Sequence, residues 1–389
     1  MHILSAGFVF LLLTSCASHP RLHDEIQTTL SDPNLETIVL LGTNDIHGAL
    51  GPLKLKSKET DPSQAVTYEA GGVTLLASYV RILREQFGGR LLWLDGGDEF
   101  QGSIESNLKK GSPLVDFFNA SGLNAAAIGN HEFDFGPETP GEADTLGSLK
   151  ARLREARYPY LAANIIDKTT GKLVDLPNTL PSKMMMIGNL KVGVIGLSTT
   201  DTPTTTRREY VKNLNFTDLK EATVREAGKL RFEGANIVVV TSHVGARCGQ
   251  NPSSGGVALR KPTDGQTPCG SNDELTLFLK SLPEGTVDAV VGGHTHQIVH
   301  HWINGVPAIQ GGAFGRYFNL IYLTFDRRSG KLLKDRTRIE GPIPVCAQVF
   351  RNQGDCDGDR PAPEKGRGSL VTPVFHGKRI QQDDATLAL

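Results

Sequence analysis

Eight short apolar runs, rich in Val, Ile and Leu, recur between residues 37 and 325, and that recurrence leaves few folds open. They are Thr37–Gly42, Arg90–Leu94, Ala125–Ile128, Tyr158–Ala162, Lys191–Gly196, Asn236–Thr241, Val287–Val291 and Asn319–Phe325. Runs this continuous are expected of strands buried on both faces. Helical patterns lie between them. Gly72–Phe87 alternates apolar and charged positions, and Ser112-Pro113 reads as an N-cap and first-turn proline for Leu114–Asn119. Leu146–Ala156 and Asp218–Phe232 are amphipathic, and Ser271 with Glu274 reads as a capping box for a helix through Leu282. Strand–helix alternation of this length predicts an α/β core with helices on both faces.

A chain of 389 residues with 39% hydrophobic composition can bury a full core as one large domain or two ordinary ones. Its net charge of -1 gives no basic face for a nucleic-acid polymer. No internal apolar stretch approaches the roughly 18 residues of a membrane span. The start of the chain differs. Ile3–Leu13 is a short apolar run, followed by Leu13-Thr14-Ser15-Cys16. The run suits a signal-peptide core, and the tetrapeptide resembles a bacterial lipobox, which would leave Cys16 lipidated. An ordinary signal with an incidental cysteine is the alternative; His2 is the sole basic-type residue ahead of the run. Either way, export is expected, and with Cys16 acylated the membrane would be met through a lipid anchor only.

Residues 17–36 are polar and unpatterned, as suits a tether. Cys248, Cys269, Cys346 and Cys356 make an even set that suggests two disulfides in an exported chain. Of three possible connectivities, Cys248–Cys269 and Cys346–Cys356 close local loops and are favoured. The Gly/Pro/Ser-rich stretch from Gly249 to Gly270 reads as a surface excursion. Arg351–Gly368 reads as a linker, and the stretch from there to Leu389 is too short for another domain.

Five polar motifs each follow an apolar run directly. They are Asn44-Asp45-Ile46-His47, Asp95-Gly96-Gly97-Asp98, Gly129-Asn130-His131-Glu132-Phe133-Asp134, Ser242-His243 and Gly292-Gly293-His294-Thr295-His296. In an open α/β sheet, side chains just past the carboxyl ends of strands converge on one crevice. Asp, His and Asn are O and N ligands suited to Zn, Mn or similar ions. One such His after a strand is ordinarily a solvated or hydrogen-bonded residue, but five of the 11 histidines fall in these motifs. His300 and His301 lie outside them and read as surface or packing residues.

The motifs Asp45-x-His47, Gly97-Asp98, Gly129-Asn130-His131-Glu132, Ser242-His243 and Gly293-His294-x-His296 resemble the calcineurin-like metallophosphoesterase signature. The longer strings, Thr43-Asn44-Asp45-Ile46-His47-Gly48 among them, narrow the resemblance to the 5'-nucleotidase family over roughly Glu36 to Pro344. The resemblance implies a two-sheet sandwich flanked by helices and two divalent metal ions (Zn, Mn, Co or similar). It implies that Asp45, His47, Asp98 and His296 hold one ion, and that Asp98, Asn130, His243 and His294 hold the other. His131, oriented by Asp134, would stabilise the transferring phosphoryl group. The expected layout is a lipoprotein signal peptide at 1–16, a tether at 17–36, the metallophosphoesterase domain at 37–345, and a linker and C-terminal tail at 346–389.

The family's C-terminal nucleoside-binding domain is expected to be absent, which makes the reaction type more legible than the substrate. The expected function is release of phosphate from nucleotides outside the cytoplasm, with a nucleotide or other phosphate ester as substrate. The alternatives are a cyclic-nucleotide or nucleotide-sugar phosphodiesterase, a thiosulfohydrolase-like enzyme, and a truncated metal-binding lipoprotein without turnover.

Overall fold

Side chains alternate across a strand, so an apolar run with no polar break must feed two cores at once. The computed structural model, which describes residues 32–249 and 258–381, meets that demand with two stacked sheets. The expected signal peptide, Cys16 and residues 17–31 of the tether lie outside the described residues.

The strands of the two sheets are, in chain order, β1 (Leu35–Thr43), β2 (Leu91–Asp95), β3 (Ala125–Ala127), β4 (Tyr160–Leu161) and β5 (Thr179–Leu180). Next come β6 (Ser182–Ile187), β7 (Leu190–Ser198), β8 (Ile237–His243), β9 (Ala258–Arg260) and β10 (Ala289–Val291). The last are β11 (Ile298–Ile303), β12 (Val306–Gly311), β13 (Tyr317–Asp326), β14 (Lys331–Leu332) and β15 (Arg338–Pro344). The first sheet runs β9-β15-β13-β1-β2-β3-β4-β5, with β14 on β13; the second runs β11-β12-β10-β8-β7-β6. Strands β1 to β5 are parallel to one another, as are β7, β8, β10 and β12. Antiparallel strands close the edges.

The alternation can be followed residue by residue. Ile38, Leu40, Leu92 and Leu94 point between the sheets, where they meet Val192, Val194, Ile237 and Val239. Val39, Leu41, Leu91 and Trp93 point outward, under helices α1 (Val73–Phe87), α2 (Ser112–Ser121) and α3 (Gly147–Glu155). On the far side, Ile195, Leu197, Val238 and Val240 pack under α4 (Leu219–Phe232) and α5 (Glu274–Ser281). The α/β sandwich flanked by helices is therefore present as expected.

Two helix starts differ from the sequence expectation. Gly111, in a left-handed conformation, occupies the N-cap of α2, which moves Ser112 inside the helix. The N-cap of α5 is Asp273, not Ser271, and no capping box forms. Glu274 turns away and accepts from Thr199 Oγ1 at 2.6 Å and Thr200 N at 3.0 Å. A tertiary partner outcompetes the local cap there.

The disulfides are Cys248–Cys269 and Cys346–Cys356. Residues 346–381, expected as linker and tail, lie against the domain; residues 382–389 lie outside the described residues. Val349–Phe350 pairs with Leu370–Val371, and Phe350 packs with Tyr68, Cys346 and Cys356 in a small separate core. Ile380 reaches the main core. His300 and His301 are buried on β11 and are packing residues rather than surface ones. Among the described residues, no helix is long and apolar enough to cross a membrane.

Candidate metal centre

The parallel strands of both sheets end on one edge, so the polar residues that follow them meet. Asp45 and His47 follow β1, Asp98 follows β2, Asn130 and His131 follow β3, and His243 is the last residue of β8. His294 and His296 follow β10. The loops are tied crosswise: Asp45 N donates to Gly97 O and His47 N to Asp98 O, both at 2.9 Å. Thr241 Oγ1, from the second sheet, donates to Asp95 O in the first at 2.6 Å.

Five of these residues adopt left-handed backbone: Asp45 (φ 51°), His47 (50°), Asp98 (59°), His294 (75°) and His296 (55°). Non-glycine residues there are strained and persist where their surroundings over-determine them. The close approach also explains one glycine. A Cβ on Gly129 would sit 2.2 Å from Asp98 Oδ1, so no larger residue leaves Asp98 in place.

Two groupings share Asp98. One ligand-type atom from each of Asp45, His47, Asp98 and His296 lies within 4.8 Å of the others. His47 Nε2 faces His296 Nε2 at 2.8 Å, and His296 Nε2 is 3.5 Å from Asp45 Oδ1. In the second grouping, Asn130 Oδ1 lies 3.0 Å from both His243 Nε2 and His294 Nδ1. His243 Nε2 is also 3.0 Å from Asp98 Oδ2. The rings are oriented from behind: Nδ1 of His47 meets Gln101 O and Nδ1 of His243 meets Gly96 O, each at 2.8 Å. Such outer hydrogen bonds leave the other nitrogen as the ligand atom. His131 stands alongside, its ring 5.4 Å from that of His47, with Nδ1 2.5 Å from Asp134 Oδ2. All nine of the expected metal and catalytic residues are thus in one place.

The electrostatics favour a cation. Asp45 and Asp98 are fully buried, and among the described residues their ionic partners are all imidazoles. Burial pushes Asp45 up to about 8, aided by the Asp98 carboxylate and opposed by His243. Burial acts on Asp98 too, but His243 bonded to it, with His47 and His131 near, holds it below the usual carboxylate range. Burial opposes charge on His243, yet Asp98 outweighs it and raises His243 to about 10. Burial lowers His47 and His294 to about 4 each, with other imidazoles adding to the effect. Burial also opposes charge on His131, but the bonded Asp134 and nearby Asp98 raise it. Two buried carboxylates that can be balanced only by holding protons on Asp45 and His243 are costly without a compensating cation. The O and N donor set therefore fits divalent metal ions.

Three residues had no role in the sequence-based expectation. Glu132 is buried and accepts from Asp98 N at 2.8 Å, Glu99 N at 2.7 Å and Gly129 N at 2.7 Å, so it braces the loop carrying Asp98. Asn44 accepts from Gly311 N at 2.6 Å and donates to Asp45 Oδ2 at 2.5 Å, joining β12 to the site. Thr206 Oγ1 donates to the other oxygen of Asp134 at 2.6 Å. Glu132 and Asn44 lie inside the post-strand motifs, which was the available signal; Thr206 has none. A further grouping, Cys248, Cys269 and His301, is a disulfide beside an imidazole and offers no thiolate.

The family model described as calcineurin-like phosphoesterase matches residues 38–298. The snake venom 5'-nucleotidase of Gloydius brevicauda is 30% identical over 298 residues, covering 76% of this chain and 46% of that protein. The human 5'-nucleotidase is 30% identical over 295 residues, covering 75% of this chain and 47% of the relative. The chain thus spans about half the length of these relatives. Among solved structures, a 5'-nucleotidase precursor from Thermus thermophilus superposes with a TM-score of 0.58 at 25% identity. It covers 80% of this chain and 55% of that one.

Proposed function

The chain belongs to the calcineurin-like phosphoesterase family, in its 5'-nucleotidase group, and from that premise we propose that it is an exported, dinuclear-metal phosphohydrolase acting on nucleotides. The observation that carries the reading is the doubled donor set around Asp98, one carboxylate shared by two groupings of O and N ligands. Asp45, His47, Asp98 and His296 would hold one ion; Asp98, Asn130, His243 and His294 would hold the other. Two divalent ions, when bound, supply Lewis acidity that polarises the phosphoryl group and makes water acidic enough to attack at neutral pH.

The chain's own residues do the rest. Glu132 keeps Asp98 aimed by holding three backbone N–H groups of its loop and the adjoining one. The Asp134 carboxylate engages His131 Nδ1, so the proton of Nε2 is the one available to the phosphoryl oxygens or the leaving oxygen. Thr206 fixes Asp134, which in turn fixes the imidazole. Charge on His131 is favoured by its carboxylate neighbours, and a charged donor stabilises negative charge developing in the transition state.

The deciding experiment is a hydrolysis screen of the purified chain on AMP, cyclic AMP, UDP-glucose and an aryl phosphate, each with Mn, Co and Zn. Metal-dependent phosphate release from AMP and the aryl phosphate, exceeding cleavage of the two diesters, is the expected result. Turnover of cyclic AMP or UDP-glucose ahead of AMP would move the assignment to a phosphodiesterase, and no turnover with any metal would refute it.

The export part of the proposal rests on the apolar run before Cys16 and on two disulfides, which persist in oxidising compartments. Cys16→Ser is expected to abolish acylation and to leave the leader uncleaved by the lipoprotein route. Mass spectrometry of the mature N-terminus checks this; a wild-type terminus mapping elsewhere than Cys16 refutes the anchor.

A further inference from the structure

Of the four imidazoles in the two groupings, only two are oriented from behind: Nδ1 of His47 by Gln101 O and Nδ1 of His243 by Gly96 O. His294 and His296 lack that support. Among the described residues, neither Nε2 of His294 nor Nδ1 of His296 makes a hydrogen bond to the protein. Where these two rings stand therefore depends on the backbone of the turn that carries them. That turn is strained, with left-handed backbone at both His294 (φ 75°) and His296 (φ 55°), and such strain is retained only where the surroundings impose it.

The restraint enters through the residue between the two histidines. The Thr295 hydroxyl donates to Ala246 O at 3.0 Å, in the loop after His243. Its hydrogen being spent there, the Gln310 side chain that faces it at 2.8 Å must be the donor, through Nε2. A Cβ on Gly245 would sit 2.6 Å from Thr295 Oγ1, so the glycine leaves room for the contact. Gln310 is an unusual residue for its place. It is 1% exposed on β12, next to the core residues Ala308 and Ile309, and its Oε1 is buried without a partner. An amide with half its polar group unsatisfied is costly in a core, and an apolar side chain would fill the space at less cost. What the glutamine adds is the bond to Thr295. Its own strand end is fixed, since Gln310 O accepts from Asn319 Nδ2 at 3.0 Å and Gly311 N donates to Asn44 Oδ1 at 2.6 Å.

We propose that Gln310 is a positioning residue for both metal sites, acting through Thr295. It lies outside all five post-strand motifs and touches none of the ligand-type side chains. It clamps the turn from which His294 serves one grouping and His296 the other, so loss of one hydrogen bond weakens both ions together. The involvement of two ions rests on the dinuclear reading above, whereas the clamp rests on the geometry of the turn.

The test is calorimetric titration of Mn into the metal-free full chain and its Gln310→Leu, Thr295→Val and Thr295→Ser variants, with the Gln310→Leu/Thr295→Val double variant. Gln310→Leu is expected to keep the apo Tm at or above that of the wild type, because leucine removes the orphaned oxygen. Its affinity for Mn is expected to fall about 10- to 100-fold at both sites, the usual cost of losing an outer partner of a metal ligand. Thr295→Val should show the same loss and the double variant no more, since the two residues act through one bond, while Thr295→Ser retains wild-type affinity. Unchanged Mn affinity in Gln310→Leu, a loss confined to one ion, or additive losses in the double variant overturns the clamp. So does an apo Tm that falls in Gln310→Leu, which would make the residue a packing element. A wild type that holds a single Mn ion, weakened equally by Gln310→Leu and Thr295→Val, keeps the clamp and refutes the dinuclear reading instead.

Discussion

Asp98→Asn is expected to leave the chain folded, free of both metal ions and nearly inactive. Asparagine keeps an oxygen to accept from His131 N, which Asp98 Oδ1 does at 2.9 Å, so the loop retains its local bond. It removes the one carboxylate shared by the two groupings. Loss of a shared ligand costs both ions rather than one, and each contributes several kcal/mol of charge stabilisation. A fall in kcat/KM on the order of 10³- to 10⁴-fold corresponds to a loss of about 4–5.5 kcal/mol. The measurements are metal content per chain and the rise in Tm on adding Mn, which ligand binding produces in the wild type and not in the variant. Two ions retained by Asp98→Asn would show that Asp98 does not bridge. An unchanged apo Tm separates metal loss from misfolding.

The second large effect separates chemistry from metal binding. His131→Ala is expected to keep both ions while kcat falls about 10²- to 10³-fold, as removal of a positioned proton donor or charge stabiliser does. Asp134→Asn should lower kcat by a smaller factor in the same direction, since Asp134 acts through His131 by holding Nδ1. The loss should be larger for AMP than for an aryl phosphate, because a poor leaving oxygen needs the proton more. Near-normal turnover of AMP by His131→Ala would remove His131 from the mechanism. Loss of metal in that variant would make it a ligand instead.

Much of this site was legible because its signal is local. An apolar run long enough to be a buried strand, followed at once by Asp, His or Asn, puts a ligand-type side chain at a strand end, and parallel strands end together. That logic marked the five motifs, and the resemblance to the metallophosphoesterase signature picked Asp45, His47, Asp98, Asn130, His131, Asp134, His243, His294 and His296 from within them; they stand together in the fold. Thr206 escaped because its only relevant partner, Asp134, is 72 residues away.

The sequence by itself determined the alternation of strands and helices, the cross-linked cysteines as candidates, and the chemistry of the donor set, since each depends on residue type and short-range period. The tertiary structure decided the rest. It chose Asp273 over Ser271 as the cap of α5, because Glu274 found Thr199 and Thr200 across the fold. It gave Glu132 three buried N–H groups to hold, and it folded the segment after Cys356 into a wall beside His296. Those outcomes are free-energy differences between partners distant in the chain, and a local pattern of residues carries no record of which distant partner wins.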